Sequence, residues 1–173
     1  MSLEFQERSA NSLSYVRPVT VAYVRAEGPI ITAAPQAWRN LRSAIADAGV
    51  CEFTSGFGLV HGSLSKPEAG SEFEACIEVP ANDDGIYARS LATQTIAGGV
   101  HIASAAVSSH QSLACALDGL LKDPLIGHGL CVADDRPAII TYASTGLSDY
   151  STAWLLTLNM PLCWANGHQG RAA

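Results

Sequence analysis

The chain has 173 residues, 48% hydrophobic and 15% charged, which is enough apolar material for one well-cored domain and argues against extended disorder. Ten Lys and Arg against sixteen Asp and Glu give a formal net charge of −6. The basic residues form no cluster, so direct nucleic-acid binding lacks the cationic footprint it needs. The longest uncharged apolar run, Ala97 to Val107, falls short of the roughly 20 residues of a membrane helix, and no basic-then-apolar segment opens the chain. A cytoplasmic location without membrane contact is the expectation.

Residues 1–16 read as a flexible N-terminal segment, because Met1 to Ser14 is polar and unpatterned. Val19 to Ala26 is β-branched and aromatic, hence a strand, ended by Glu27-Gly28-Pro29. Thr32 reads as the N-cap of a helix from Ala34 to Ala48, with Trp38, Leu41 and Ile45 on one face and Gly49 past its end. Phe57 to His61 is a short strand, Ser63 to Ser71 a loop, and Glu72 to Val79 a strand with Phe73, Ala75, Ile77 and Val79 on one parity and Glu74 and Glu78 on the other.

After the turn cluster Pro80 to Gly85 comes an extended segment, Tyr87 to Ile96. A strand of small residues, Val100 to Val107, precedes a helix from His110 to Lys122 striped by Leu113, Leu117, Leu120 and Leu121. Pro137 to Ser144 and Ser151 to Leu162 are strands, and 163–173 is a tail. The run strand, helix, strand, strand thus occurs twice, over about 17–80 and 87–162, with Phe73 to Val79 echoed 83 residues later in Leu156 to Leu162. The expected architecture is α+β: duplicated units forming one curved antiparallel sheet, with both helices on one side and pseudo-twofold symmetry.

The order of elements, with Val21 to Pro29, the Ala37-Trp38…Leu41 helix, Phe73 to Val79 and the Ile96-Ala97-Gly98-Gly99 turn, resembles the GyrI-like small-molecule-binding family. That family includes the effector-binding domains of AraC-type and MerR-type transcription regulators. The resemblance runs from about Arg17 to Leu162 and implies a ligand cleft between the two halves. In the family the final strand usually carries a glutamate and, two residues on, an aromatic, both facing the cleft; here those places hold Thr157 and Asn159. Glu74 is the surviving acid. No helix-turn-helix is recognisable before residue 17 or after residue 162, which implies a stand-alone domain.

These readings converge on binding of a small, largely apolar organic molecule, with Glu74, Thr157 and Asn159 as polar contacts and Tyr23, Trp38, Phe57, Tyr142 and Trp154 as walls. Core packing competes for Trp38 and for the strand aromatics. The alternatives are a hydrolase of a reactive small molecule, with Glu74 orienting water, and a protein that docks on gyrase or on a separate regulator. No cofactor or metal is implied: Gly56-Phe57-Gly58 is a lone G-x-G, and the five histidines show neither metal spacing nor a visible acidic partner. The five cysteines are scattered without a C-x-x-C pair, and reduced, mostly buried thiols are expected.

Overall fold

A computed structural model of the chain describes residues 11–49, 56–62, 72–83, 85–142 and 155–165. Two strands open it, β1 (Ser12–Val16) and β2 (Val19–Glu27), followed by helix α1 (Ile30–Asp47) and strands β3 (Gly56–His61) and β4 (Glu72–Glu78). Then come a single helical turn α2 (Ile86–Ser90), β5 (Ala92–Ile96) and β6 (Gly99–Ala103). A 3-10 turn, His110–Ser112, runs into α3 (Leu113–Leu121), and β7 (Leu130–Val132), β8 (Ala138–Tyr142) and β9 (Leu156–Trp164) complete the order. Among the described residues no helix is long and apolar enough to cross a membrane.

The strands form a curled, antiparallel half-barrel in the order β1-β6-β9-β8-β3-β4-β2-β5, with β7 paired to β9. Strand alternation sorts the side chains onto two faces. On one face Ala22, Phe73, Ala75, Ile77, Ile140, Leu158 and Met160 pack with Trp38 and Leu41 of α1 and Leu113 and Leu120 of α3. On the other face Val21, Leu59, Cys76, Ile96 and Ile139 form a smaller buried cluster with no helix over it among the described residues.

Helix α1 begins at Ile30, not Ala34, and its N-cap is Pro29, not Thr32. Pro29 has φ −56° and its carbonyl accepts the first helical bond, from Ala33 N at 2.9 Å. Thr32 sits inside the first turn and donates its hydroxyl to the same carbonyl. The helix runs through Pro35, which has no N–H to give. A mid-helix proline costs roughly 3 kcal/mol, and burial of three large side chains at roughly 1.5–3 kcal/mol each outweighs it. Those side chains are Trp38, Leu41 and Ile45, none more than 5% exposed.

Other boundaries differ for local reasons. Asp83 accepts hydrogen bonds from Gly85 N and Ile86 N, which winds the start of the expected extended segment into α2. The strand expected to reach Val107 stops at Ala103, where the Ser104 hydroxyl accepts the Leu158 N–H in place of a ladder carbonyl. The second helix is 3-10 over its first turn, capped by the Ser109 hydroxyl on Ser112 N. Ser12–Val16, expected in the flexible N-terminal segment, pairs with β6, and β9 continues into the expected tail as far as Trp164.

Candidate functional site

The register of the sheet places two rows of side chains side by side on the helix-free face. One row reads Arg25, Glu74, Leu59, Ile139, Asn159 across β2, β4, β3, β8 and β9. The neighbouring row reads Tyr23, Cys76, Phe57, Thr141, Thr157. Five of the sequence-derived candidates, Tyr23, Phe57, Glu74, Thr157 and Asn159, therefore share one face. Trp38 and Tyr142 lie on the opposite, helix-covered face, where Trp38 Nε1 donates to the Tyr142 hydroxyl at 3.0 Å and the rings meet edge to face at 5.4 Å. His110 Nε2 is 3.1 Å from the same hydroxyl. Trp154 lies outside the described residues.

Glu74 is fully buried and its carboxylate is shared among four strands. Oε1 accepts from Arg25 Nε at 3.0 Å and Arg25 Nη2 at 2.6 Å. Oε2 accepts from Gln94 Nε2 at 2.6 Å and lies 2.8 Å from His61 Nε2, at ion-pair distance but off the direction of a good hydrogen bond. Burial pushes the carboxyl up, but His61, Arg25 and Gln94 together more than offset it and hold the group below its ordinary value. A carboxylate has about four acceptor sites; three here accept from Arg25 and Gln94, and His61 stands beside the remaining one. Arg25, Gln94 and His61 carried no sequence signal beyond their polarity. Their partnership arises from strand order, not from spacing along the chain.

Asn159 is nearly buried and directs Nδ2 to Ile139 O at 3.2 Å, with Thr141 Oγ1 and Thr157 O each at 3.4 Å. Two cavities flank Ile139. One, of about 290 Å³, is walled by Val16, Val19, Phe57, Ile139, Thr141 and Asn159, with Tyr142 contributing to the wall and Arg17 and Glu78 forming an exposed ion pair beside it. The other, of about 220 Å³, is lined by Leu59, His61, Gln94, His101, Arg136 and Ile139. Burial depresses the His101 imidazole, with Arg136 adding to the effect against a bond to Gly99 O, so it is neutral near pH 7. Arg136 is itself spent on the Gly98 and Leu162 carbonyls.

Cys76 lies between Glu74 and Phe57 on this face, buried, with burial first and the Glu74 charge second raising its thiol well above the ordinary value; it is an inert group. Of the four cysteines in the described residues it alone is buried: Cys115 is exposed and Cys131 and Cys163 are half-buried, which corrects the expectation of mostly buried thiols. Among the described residues no cluster of three or more His, Cys, Asp or Glu is arranged to hold a metal ion.

No family model and no curated protein matches the sequence. The C-terminal domain of EcmrR superposes with a TM-score of 0.61 at 15% identity, over 91% of this chain and 99% of that one. SAV2435 bound to tetraphenylphosphonium gives 0.54 at 12% identity, over 93% of this chain and 98% of that one. A hydrolase from Listeria innocua gives 0.55 at 11% identity, over 88% and 91%. Identities this low carry the fold and not the chemistry. Over about 90% of its length the chain shares the fold of these proteins.

Proposed function

We propose that the protein binds a small, largely apolar and uncharged organic molecule on the helix-free face of its sheet, as a sensor or sequestering protein. The observation that carries this reading is the pairing of charge around an apolar wall. Glu74 is paired with Arg25, accepts from Gln94 and has His61 beside it, and Glu78 is paired with Arg17, while Val16, Val19, Phe57 and Ile139 line the larger cavity beside the uncharged Thr141 and Asn159. Apolar walls with a few placed polar groups are what small-molecule sites require. With the Asn159 amide N–H groups already committed, its oxygen is the acceptor left to orient a ligand.

The strand order supports reading the halves as copies of one unit: outward from the central β3–β8 pair it runs β3-β4-β2 on one side and β8-β9-β6 on the other. The ligand then sits over the junction of the halves. SAV2435, a structural neighbour, holds tetraphenylphosphonium, a bulky apolar cation. In this chain Arg25 already occupies the acid that would attract such a cation, so the preference shifts toward neutral ligands.

Titration calorimetry with tetraphenylphosphonium and with the neutral triphenylphosphine oxide tests this. The neutral compound is expected to bind at least as tightly as the cation, and Ile139→Trp, which fills the wall common to both cavities, to weaken it by about tenfold or more, the equivalent of ~1.4 kcal/mol. Absence of binding to either compound, or a strong preference for the cation, would sink the proposal. Hydrolysis is the less favoured reading despite the hydrolase neighbour, because a carboxylate held below its ordinary value and already accepting from Arg25 and Gln94 is a poor general base.

A further inference from the structure

Cys131 and Cys163 stand directly opposite each other where β7 meets β9. Ala133 N donates to Pro161 O at 3.0 Å on one side of them and Ala165 N to Gly129 O at 3.0 Å on the other. Hydrogen-bonded and non-hydrogen-bonded pairs alternate along an antiparallel ladder, so the cysteine pair midway between these is a hydrogen-bonded one, with Cα atoms about 5.5 Å apart. That separation falls within the roughly 4.4–6.8 Å that a disulfide spans. The side chains have turned toward each other: the sulfurs are 2.9 Å apart, and each thiol also points at the other residue's carbonyl at 3.6 Å.

We propose that Cys131 and Cys163 form a redox-active dithiol that closes to a cross-strand disulfide by exchange with a low-molecular-weight disulfide. One cysteine, as thiolate, attacks the small disulfide, breaks its S–S bond, expels one small thiolate and becomes a mixed disulfide. The second cysteine, also as thiolate, attacks the protein sulfur of that mixed disulfide, forms the Cys131–Cys163 bond and releases the second small thiolate. The two protein thiols are oxidised, the small disulfide is reduced to two thiols, and the two protons pass from protein to small thiols.

The Cys163 thiol is pushed up to about 11, chiefly by its hydrogen bond with Cys131 and then by burial; the neighbouring Asp135 adds to this and Arg136 opposes it. Near neutral pH, exchange therefore runs through a small thiolate fraction and needs an excess of the small disulfide. The consequence is mechanical. Strand β7 is three residues long, and the segment after it carries Asp135, Arg136 and Pro137, which wall the 220 Å³ cavity. A disulfide clamps that wall onto β9.

The test is incubation of the reduced full-length protein with oxidised glutathione, alkylation of remaining thiols, and peptide mass spectrometry beside a melting curve. The expected result is a Cys131–Cys163 cross-linked peptide and a rise in melting temperature on the order of 10 °C, reversed by dithiothreitol. Cys163→Ser should trap glutathione on Cys131 and show no such rise, and Cys131→Ser should give the mirror result. The proposal is overturned if both cysteines remain alkylatable under conditions that modify the exposed Cys115, if either cross-links elsewhere, or if the cross-link forms without a change in melting.

Discussion

At Glu74 a single carboxylate joins β2, β3, β4 and β5 through Arg25, His61 and Gln94. Glu74→Gln removes the charge that these donors converge on and is expected to cost roughly 1–3 kcal/mol at pH 7. The figure stays below that of a fully buried ion pair because the Arg25 side chain is 45% exposed and solvent screens it. The sign with pH follows from the direction of the shift. A carboxyl held below its usual 4.5 stabilises fully above that value, and the stabilisation is lost as pH falls through the lower, folded value. The difference between wild type and Glu74→Gln in urea denaturation should hold from pH 7 to about pH 5 and shrink in stronger acid; a difference unchanged by acid would mean that Glu74 carries no charge in the fold. Glu74 was legible as the one acid in the middle of an alternating strand. Its partners were not, because Arg25 lies 49 residues before it and Gln94 20 residues after, on strands whose adjacency only the sheet order decides.

Strand β3 illustrates how close approach shapes an element. A Cβ on Gly58 would stand 2.5 Å from Phe73 Cζ, so β3 can lie beside β4 with the Phe73 ring across it only if position 58 has no side chain. Gly58→Ala should therefore destabilise by roughly 1–3 kcal/mol, the range of an overpacked core. Gly119, in α3, meets nothing within 4 Å, and Gly119→Ala should instead stabilise by roughly 0.5–1 kcal/mol. Denaturation midpoints of the two variants moving in the same direction would contradict this account. The second glycine of the G-x-G at 56–58 is thus explained by packing.

The elements readable from sequence were those with one-sided or β-branched patterns: β2, α1, β3, β4, β6, α3, β8 and β9. Those missed were β1, α2 and β7, of five, five and three residues. Each is fixed by something distant or by one side chain: β1 by β6, β7 by β9, α2 by Asp83. Tyr142, on a strand, could not be assigned to the core or the cleft side from its sequence. Alternation says that residues differ in side, not which side the helices cover.

On the scale of the molecule, the two leading strands are exchanged. Strand β1 precedes the first strand–helix–strand–strand run but pairs with β6 of the second, and β5 precedes the second run but pairs with β2 of the first. Each run is finished at its edge by the strand that precedes the other. Deleting residues 1–16 bares the edge of β6 and is expected to lower stability by roughly 1–3 kcal/mol and to promote self-association, read by denaturation and light scattering. An unchanged monodisperse protein of wild-type stability would show that β1 contributes nothing.

The exchange also orders events during synthesis. Among the described strands β1 leaves the ribosome first, yet its partner begins at Gly99, 83 residues after Val16. At roughly 5–20 residues per second, β1 waits on the order of ten seconds for an edge to join. A segment that must stay unpaired so long is best kept polar on alternate positions, as Ser12 and Ser14 keep it. The first of the described strands to be made is in this way placed only after six later elements, β2 to β5 with α1 and α2, have emerged ahead of its partner β6.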